Sequence, residues 1–87
     1  MLISPDILDC LRQGKEAVEE ISLTYRNGGR VVGSIHKLRM KPLKLVIKKT
    51  EPKAGERPRH RMVADHVSKM EITMKDGRRL HFEDSQP

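Results

Sequence analysis

Asn27-Gly28-Gly29, set between two stretches of alternating residues, constrains this chain more than any other feature. Asn-Gly is the strongest short-range hairpin signal, because a type I′ turn needs positive φ at both central residues. Upstream, Ile21, Leu23 and Tyr25 alternate with Ser22, Thr24 and Arg26, the period of a strand with one buried face. The chain is expected to fold back at the turn into a second strand, Arg30 to Leu38, with Gly33 inside it. A glycine in a strand interior marks a bulge or a sharp bend. Leu43, Leu45 and Ile47 repeat the alternation in a third strand that ends near Thr50. Three antiparallel strands with a bent middle member form the centre of the expected fold.

Ahead of them, Ser4 is placed to cap a helix, Pro5 suits its first position, Asp6 complements its dipole, and Ile3 and Leu8 have the spacing of a hydrophobic staple. The helix is expected from Pro5 to Gln13, with Ile7, Leu8 and Leu11 as its buried stripe and Gly14 as its stop. Lys15 to Glu20 fits either a helical continuation or the start of a strand. Its acidic group Glu16, Glu19 and Glu20 reads as a solvated cap rather than a metal site. Pro52, Gly55 and Pro58 make a loop of Thr50 to Pro58, in which Lys53 and Arg57 form a basic tip. His60, Met62 and Ala64 then alternate with Arg61 and Val63, and Asp65 to Ser68 reads as a turn. A further strand is expected from Lys69 to Met74, with Met70, Ile72 and Met74 inward. Asp76-Gly77 predicts a second hairpin leading to Leu80 and Phe82. The tail from Asp84 to Pro87 is expected to fray.

The 87 residues suit one domain, and a chain of this size buries only about two-thirds of the surface its unfolded form exposes. The domain reads as a helix over 1–14, a bent β structure over 20–83 and a tail over 84–87. Tyr25 and Phe82 are the only Tyr, Phe or Trp residues, so aliphatic side chains must supply the core, with Leu23, Ile35, Leu45, Ile47, Met70 and Ile72 buried together. Cys10 stands alone; it is expected as a small buried hydrophobe on the helix and has no second cysteine for a disulfide or a zinc site. No apolar run approaches a membrane span, which predicts a soluble, cytoplasmic protein with no membrane partner.

Charge is the most functional-looking property. Residues 37–61 hold ten basic residues against Glu51 and Glu56, a local +8, while the rest of the chain carries −2. A basic face suits a polyanion, because every Lys or Arg that neutralises a phosphate releases counterions. The candidate binding residues are Lys37, Arg39, Lys41, Lys44, Lys48, Lys49, Arg57, Arg59 and Arg61. Nucleic acid, as RNA or single-stranded DNA, is the first partner this implies. An acidic protein that adds a strand to a sheet edge is the second, and a merely solvated face the third. Lys44 and Lys48 should share the outer face, opposite Leu43, Leu45 and Ile47, with Lys49 pointing the other way.

A helix followed by strongly bent antiparallel strands, with Gly33 at the bend, resembles the Sm-like small β-barrel. Within Ile21 to Ile72, the strand, Asn-Gly turn, bent strand and Ala64-Asp65-His66-Val67-Ser68 are similar to two bacterial branches, the Rho-binding antiterminator and the WYL domain of bacterial regulators. The resemblance implies a mainly β (α+β) fold, with the N-terminal helix followed by a small antiparallel barrel of five or six strands and ring-type homo-oligomers through edge strands. Two departures stand out. The antiterminator is acidic where this chain is basic, and Leu45-Val46-Ile47 stands where WYL domains have tryptophan-tyrosine-leucine.

No catalytic, metal or cofactor motif is present: His36, His60, His66 and His81 lie in no metal spacing, and there is no nucleophile elbow or phosphate loop. An active site would have to assemble from His36, His60 and Asp65, whose simpler role is a turn acceptor. A binding module without enzymatic activity is the expectation.

Overall fold

The computed structural model describes residues 1–84. A helix, α1 (Pro5–Arg12), precedes six strands: β1 (Val18–Tyr25), β2 (Arg30–Met40), β3 (Leu43–Lys49), β4 (Arg59–Arg61), β5 (Val67–Met74) and β6 (Arg79–Glu83). A single 3-10 turn, Ala64–His66, separates β4 from β5. The strands form one antiparallel sheet in the order β4-β3-β2-β1-β5-β6.

The helix starts and stops where its chemistry directs. Ser4 Oγ accepts the Ile7 amide at 3.3 Å, and Pro5 occupies the first turn, where its missing N–H costs nothing. Gly14 follows in the left-handed region at φ +72° and ends the helix. Ile7 and Leu11 are buried, whereas Leu8 is half-buried. The ambiguous stretch after Gly14 is a turn, in which the Gly14 carbonyl accepts the amides of Ala17 and Val18. β1 then begins at Val18, because Val18 pairs with Met74 and the Ala17 carbonyl accepts the Lys75 amide at 2.8 Å. Pairing with the far end of the chain prevails over the local helical period.

The first hairpin forms at Asn27-Gly28, but its turn is not type I′. Among the described residues only glycines have positive φ, and here that residue is Gly28 at +89°. The Gly28 amide donates to the Tyr25 carbonyl at 2.9 Å, closing a type I-like turn that Gly28 extends as a left-handed bulge. Asn27 Oδ1 accepts the Gly29 amide at 2.8 Å. Lys75-Asp76-Gly77 repeats the device, with Gly77 at φ +94° and Asp76 Oδ1 accepting the Arg78 amide at 3.0 Å. In both turns the side-chain oxygen holds the loop, so only the glycine needs the left-handed region.

Gly33 is where β2 turns the corner of the sheet. Arg30 to Gly33 pair with β1, and Gly33 to Met40 pair with β3. A side chain has no room there: a Cβ on Gly33 would lie 2.0 Å from the Lys48 carbonyl oxygen and 2.7 Å from Ile47 Cγ2. A bulge follows at once, since Ile35 faces Ile47 and Lys37 faces Val46, leaving His36 extra. Leu23, Ile35, Leu45, Ile47, Met70 and Ile72 all enter one core, joined by Ile7, Leu11, Val18, Ile21, Val67 and others.

The expected barrel is not formed: the sheet is open, with β4 and β6 at its two ends. β4 is too short to continue the ladder, because Pro58 offers no donor before it and the chain turns away after Arg61. The Tyr25 hydroxyl accepts the Val63 amide at 3.3 Å and so ties the segment after β4 to the end of β1, while the Arg26 amide extends the β1–β5 ladder by donating to the His66 carbonyl at 2.8 Å. The tail is better held at its start than expected. The Asp84 amide donates to the Ser68 carbonyl at 2.9 Å, and its carboxylate pairs with Arg26; Ser85 to Pro87 lie outside the described residues.

Candidate functional site

Register decides which side of the sheet each cation occupies, since residues directly opposite on paired strands share a face. Leu45 and Ile47 are buried, so Lys44, Val46 and Lys48 stand on the outer face of β3. Lys37 faces Val46 and Arg39 faces Lys44 from β2, while Arg61 faces Val46 and Arg59 faces Lys48 from β4. Arg57 joins them: with Val46, Pro58, Arg59 and Arg61 it lines a shallow depression of ≈ 440 Å³. Seven of the nine expected residues therefore share one surface. Lys41 lies exposed in the β2–β3 turn at its margin. Lys49 does not belong to it: its side chain sits on the core side of β3 and pairs with Glu56 at 3.6 Å.

Two features of this surface bear on its electrostatics. Arg39 and Lys44 are directly opposite, as are Lys48 and Arg59, and like charges facing each other across a ladder are destabilising. Lys37, Arg39, Lys44, Lys48, Arg59 and Arg61 also make no ion pair among the described residues. The other half of the same sheet does the opposite. Lys69 faces Glu83 and pairs with it at 3.6 Å, and Glu71 faces His81 at 3.3 Å.

Sequence reasoning missed His36. The bulge sets it among these cations, and partial burial, followed by Arg59, Lys15, Lys48 and Lys37, holds its imidazole pKa below the usual value. Its place directly after the inward Ile35 was the available signal, but the bulge that keeps Lys37 on the same face cannot be located from alternation alone.

A second grouping lies on the other side of β4. His60 faces Ile47 across the ladder and so points inward, where its Nε2 is 2.5 Å from the Tyr25 hydroxyl and the two rings meet edge to face at 5.4 Å. The hydroxyl oxygen also accepts from the Val63 amide. Burial and Lys49 lower the His60 pKa, and burial raises that of Tyr25, in keeping with two neutral partners. The three groups suggested for an active site stay apart, with His36 among the outer cations, His60 inside and Asp65 in the 3-10 turn. Among the described residues no group of three or more His, Cys, Asp or Glu side chains is gathered to hold a metal ion, and no helix is long and apolar enough to cross a membrane. Cys10 is half-buried, and desolvation with Asp9 nearby pushes its thiol pKa up.

The two depressed histidines set a pH dependence. An unfolded chain protonates them near the ordinary value of 6.5, whereas the folded protein resists until lower pH. Their contribution to stability is present in full above about pH 6.5 and is lost as pH falls through the folded values. The melting temperature should therefore decline between about pH 7 and pH 5, before most carboxylates titrate. A His36→Gln, His60→Gln double variant should flatten that interval; an unchanged slope would refute the assignment.

Comparison with protein-family models, curated proteins and solved structures found no match.

Proposed function

We propose that the outer face of β2, β3 and β4 binds the phosphate backbone of a single-stranded nucleic acid, RNA or DNA, and that the protein is a non-enzymatic, regulatory binding module of the bacterial cytoplasm. The observation that carries this reading is the pair of like-charged cross-strand neighbours, Arg39 with Lys44 and Lys48 with Arg59. Their mutual repulsion costs stability in the free protein and is relieved when an anion lies between them. Cations two residues apart on a strand stand about 6.6 Å from each other, and neighbouring strands are about 4.8 Å apart, a grid that phosphates of an extended strand can follow. Val46 is the apolar centre of this face and no Tyr, Phe or Trp side chain lies on it, so binding there is electrostatic and weakly sequence-selective.

The Sm-like reading of the fold goes with this function. Its support is the bend of β2 at Gly33 and the contacts by which Tyr25, at the end of β1, reaches His60 and Val63. The unpaired edges of β4 and β6 suit a homo-oligomer. They also support a second reading, in which an acidic protein adds a strand to β4 beside the cations.

Salt titration tests the proposal. A uridine oligonucleotide should bind at about 50 mM salt, with log affinity falling by roughly 0.7 per phosphate contact for each unit of log salt. No detectable binding at that salt would overturn the reading, and preferential binding of polyglutamate would favour the acidic protein instead.

A further inference from the structure

We infer that the cleft between the Arg26-Asn27 turn and β4 is a base-accepting subsite, taking one unstacked nucleobase from a strand whose phosphates lie on the outer face. The inference rests on the nucleic-acid reading above. Tyr25, Arg26, Asn27, His60, Val63 and His66 line this cleft of ≈ 460 Å³. It gathers three ring side chains in a chain that has one Tyr, one Phe, no Trp and four His, and flat rings are what single-strand binders use to hold bases. Val63 is one of only two exposed large hydrophobic residues among those described, at 47%.

The lining also says which part of a nucleotide it suits. The Arg26 guanidinium is already paired with Asp84, and burial and Lys49 disfavour the charged form of His60, whose Nε2 meets the Tyr25 hydroxyl. A phosphate would find no unpaired cation, whereas a planar uncharged ring finds Val63 and imidazole faces. Asn27 Oδ1 is taken by the Gly29 amide, which leaves the Asn27 Nδ2 hydrogens for a base edge. Only the width of β4 separates the two surfaces. Arg59 and Arg61 face outward while His60 between them faces inward, so a strand crossing this edge can keep its phosphates on the arginines and turn a base into the cleft.

Tyr25 is the only tyrosine and there is no tryptophan, so intrinsic emission reports from the cleft itself. The full chain should be titrated with a uridine oligonucleotide and with an abasic phosphodiester of equal length. The oligonucleotide should bind about tenfold more tightly, the scale of stacking one base, and should change Tyr25 emission. The abasic ligand should bind without changing it. His66→Ala, an exposed substitution whose side chain has no hydrogen-bond partner among the described residues, should bring the two affinities together and leave abasic binding unaltered. Equal affinities in the unsubstituted protein would overturn the subsite while leaving the basic face intact. Binding of neither ligand would remove the nucleic-acid reading and the subsite with it.

Discussion

Gly33→Ala is expected to be the most damaging single-methyl change in the molecule. The added Cβ would sit 2.0 Å from the Lys48 carbonyl oxygen and 2.7 Å from its carbonyl carbon, both backbone atoms of the paired strand. No rotamer can relieve such a contact, so β2 and β3 must separate where β2 leaves β1 for β3. Overpacking of this kind costs about 3 kcal/mol or more, against a total stability of roughly 4–13 kcal/mol for a domain this size. The melting temperature should fall by about 12 °C or more. Gly28→Ala is the instructive contrast, because open space surrounds it and only its φ of +89° resists a side chain; about 1 kcal/mol is expected there. Thermal melts of both variants decide the matter. A Gly33→Ala protein that melts like its parent would show that β2 passes β3 less closely than described.

The second large effect separates binding from stability. In the Lys44→Glu, Lys48→Glu double variant, both like-charged pairs with Arg39 and Arg59 become opposite-charged. Each such pair contributes roughly 0.2–1 kcal/mol across a ladder, so the variant should melt at or above the temperature of the parent. Each substitution removes two units of charge, taking the formal net charge from +6 to +2. Affinity for a single-stranded oligonucleotide should nevertheless fall at least tenfold at about 0.1 M salt, and the salt slope should shrink by about 1.4 for two lost phosphate contacts. A protein that becomes more stable as it loses its ligand has been carrying repulsion for the sake of binding. Undiminished binding in the folded variant would place the site elsewhere.

Much of this was legible in the chain because it depends on near neighbours. Ser4, Pro5 and Gly14 bound the helix through local hydrogen bonds and backbone preference. The alternation around Leu45 and Ile47 is enough to place Lys44 and Lys48 on the outer face. What escaped depends on distant partners or on small shifts of register. Val18 becomes a strand residue because Met74 lies beside it. Lys37 and Arg39 share the outer face with His36 only because a bulge shifts the alternation that the buried Ile35 begins. Tyr25 and His60, separated by 35 positions, meet only once β2 has turned its corner. The turn at Asn27 was right in place and wrong in type, because the Asn27 oxygen already holds the Gly29 amide and so the residue has no need of positive φ.

The central position of β1 bears on how the chain is made. One neighbour, β2, follows it directly, whereas the other, β5, is synthesised only after β4, so that Tyr25 waits for Val67 and Val18 for Met74. As the polypeptide leaves the ribosome, β1 to β4 can assemble in order, each strand on the one before it. Throughout that interval one side of β1 has bare amides and carbonyls, and Ile21 and Leu23 lack the cover of Ile72 and Met70. Such an intermediate invites pairing between nascent chains. Strands β5 and β6 are thus what covers an adhesive fragment, and a ribosome that stalls before residue 67 would release a chain with that side of β1 bare.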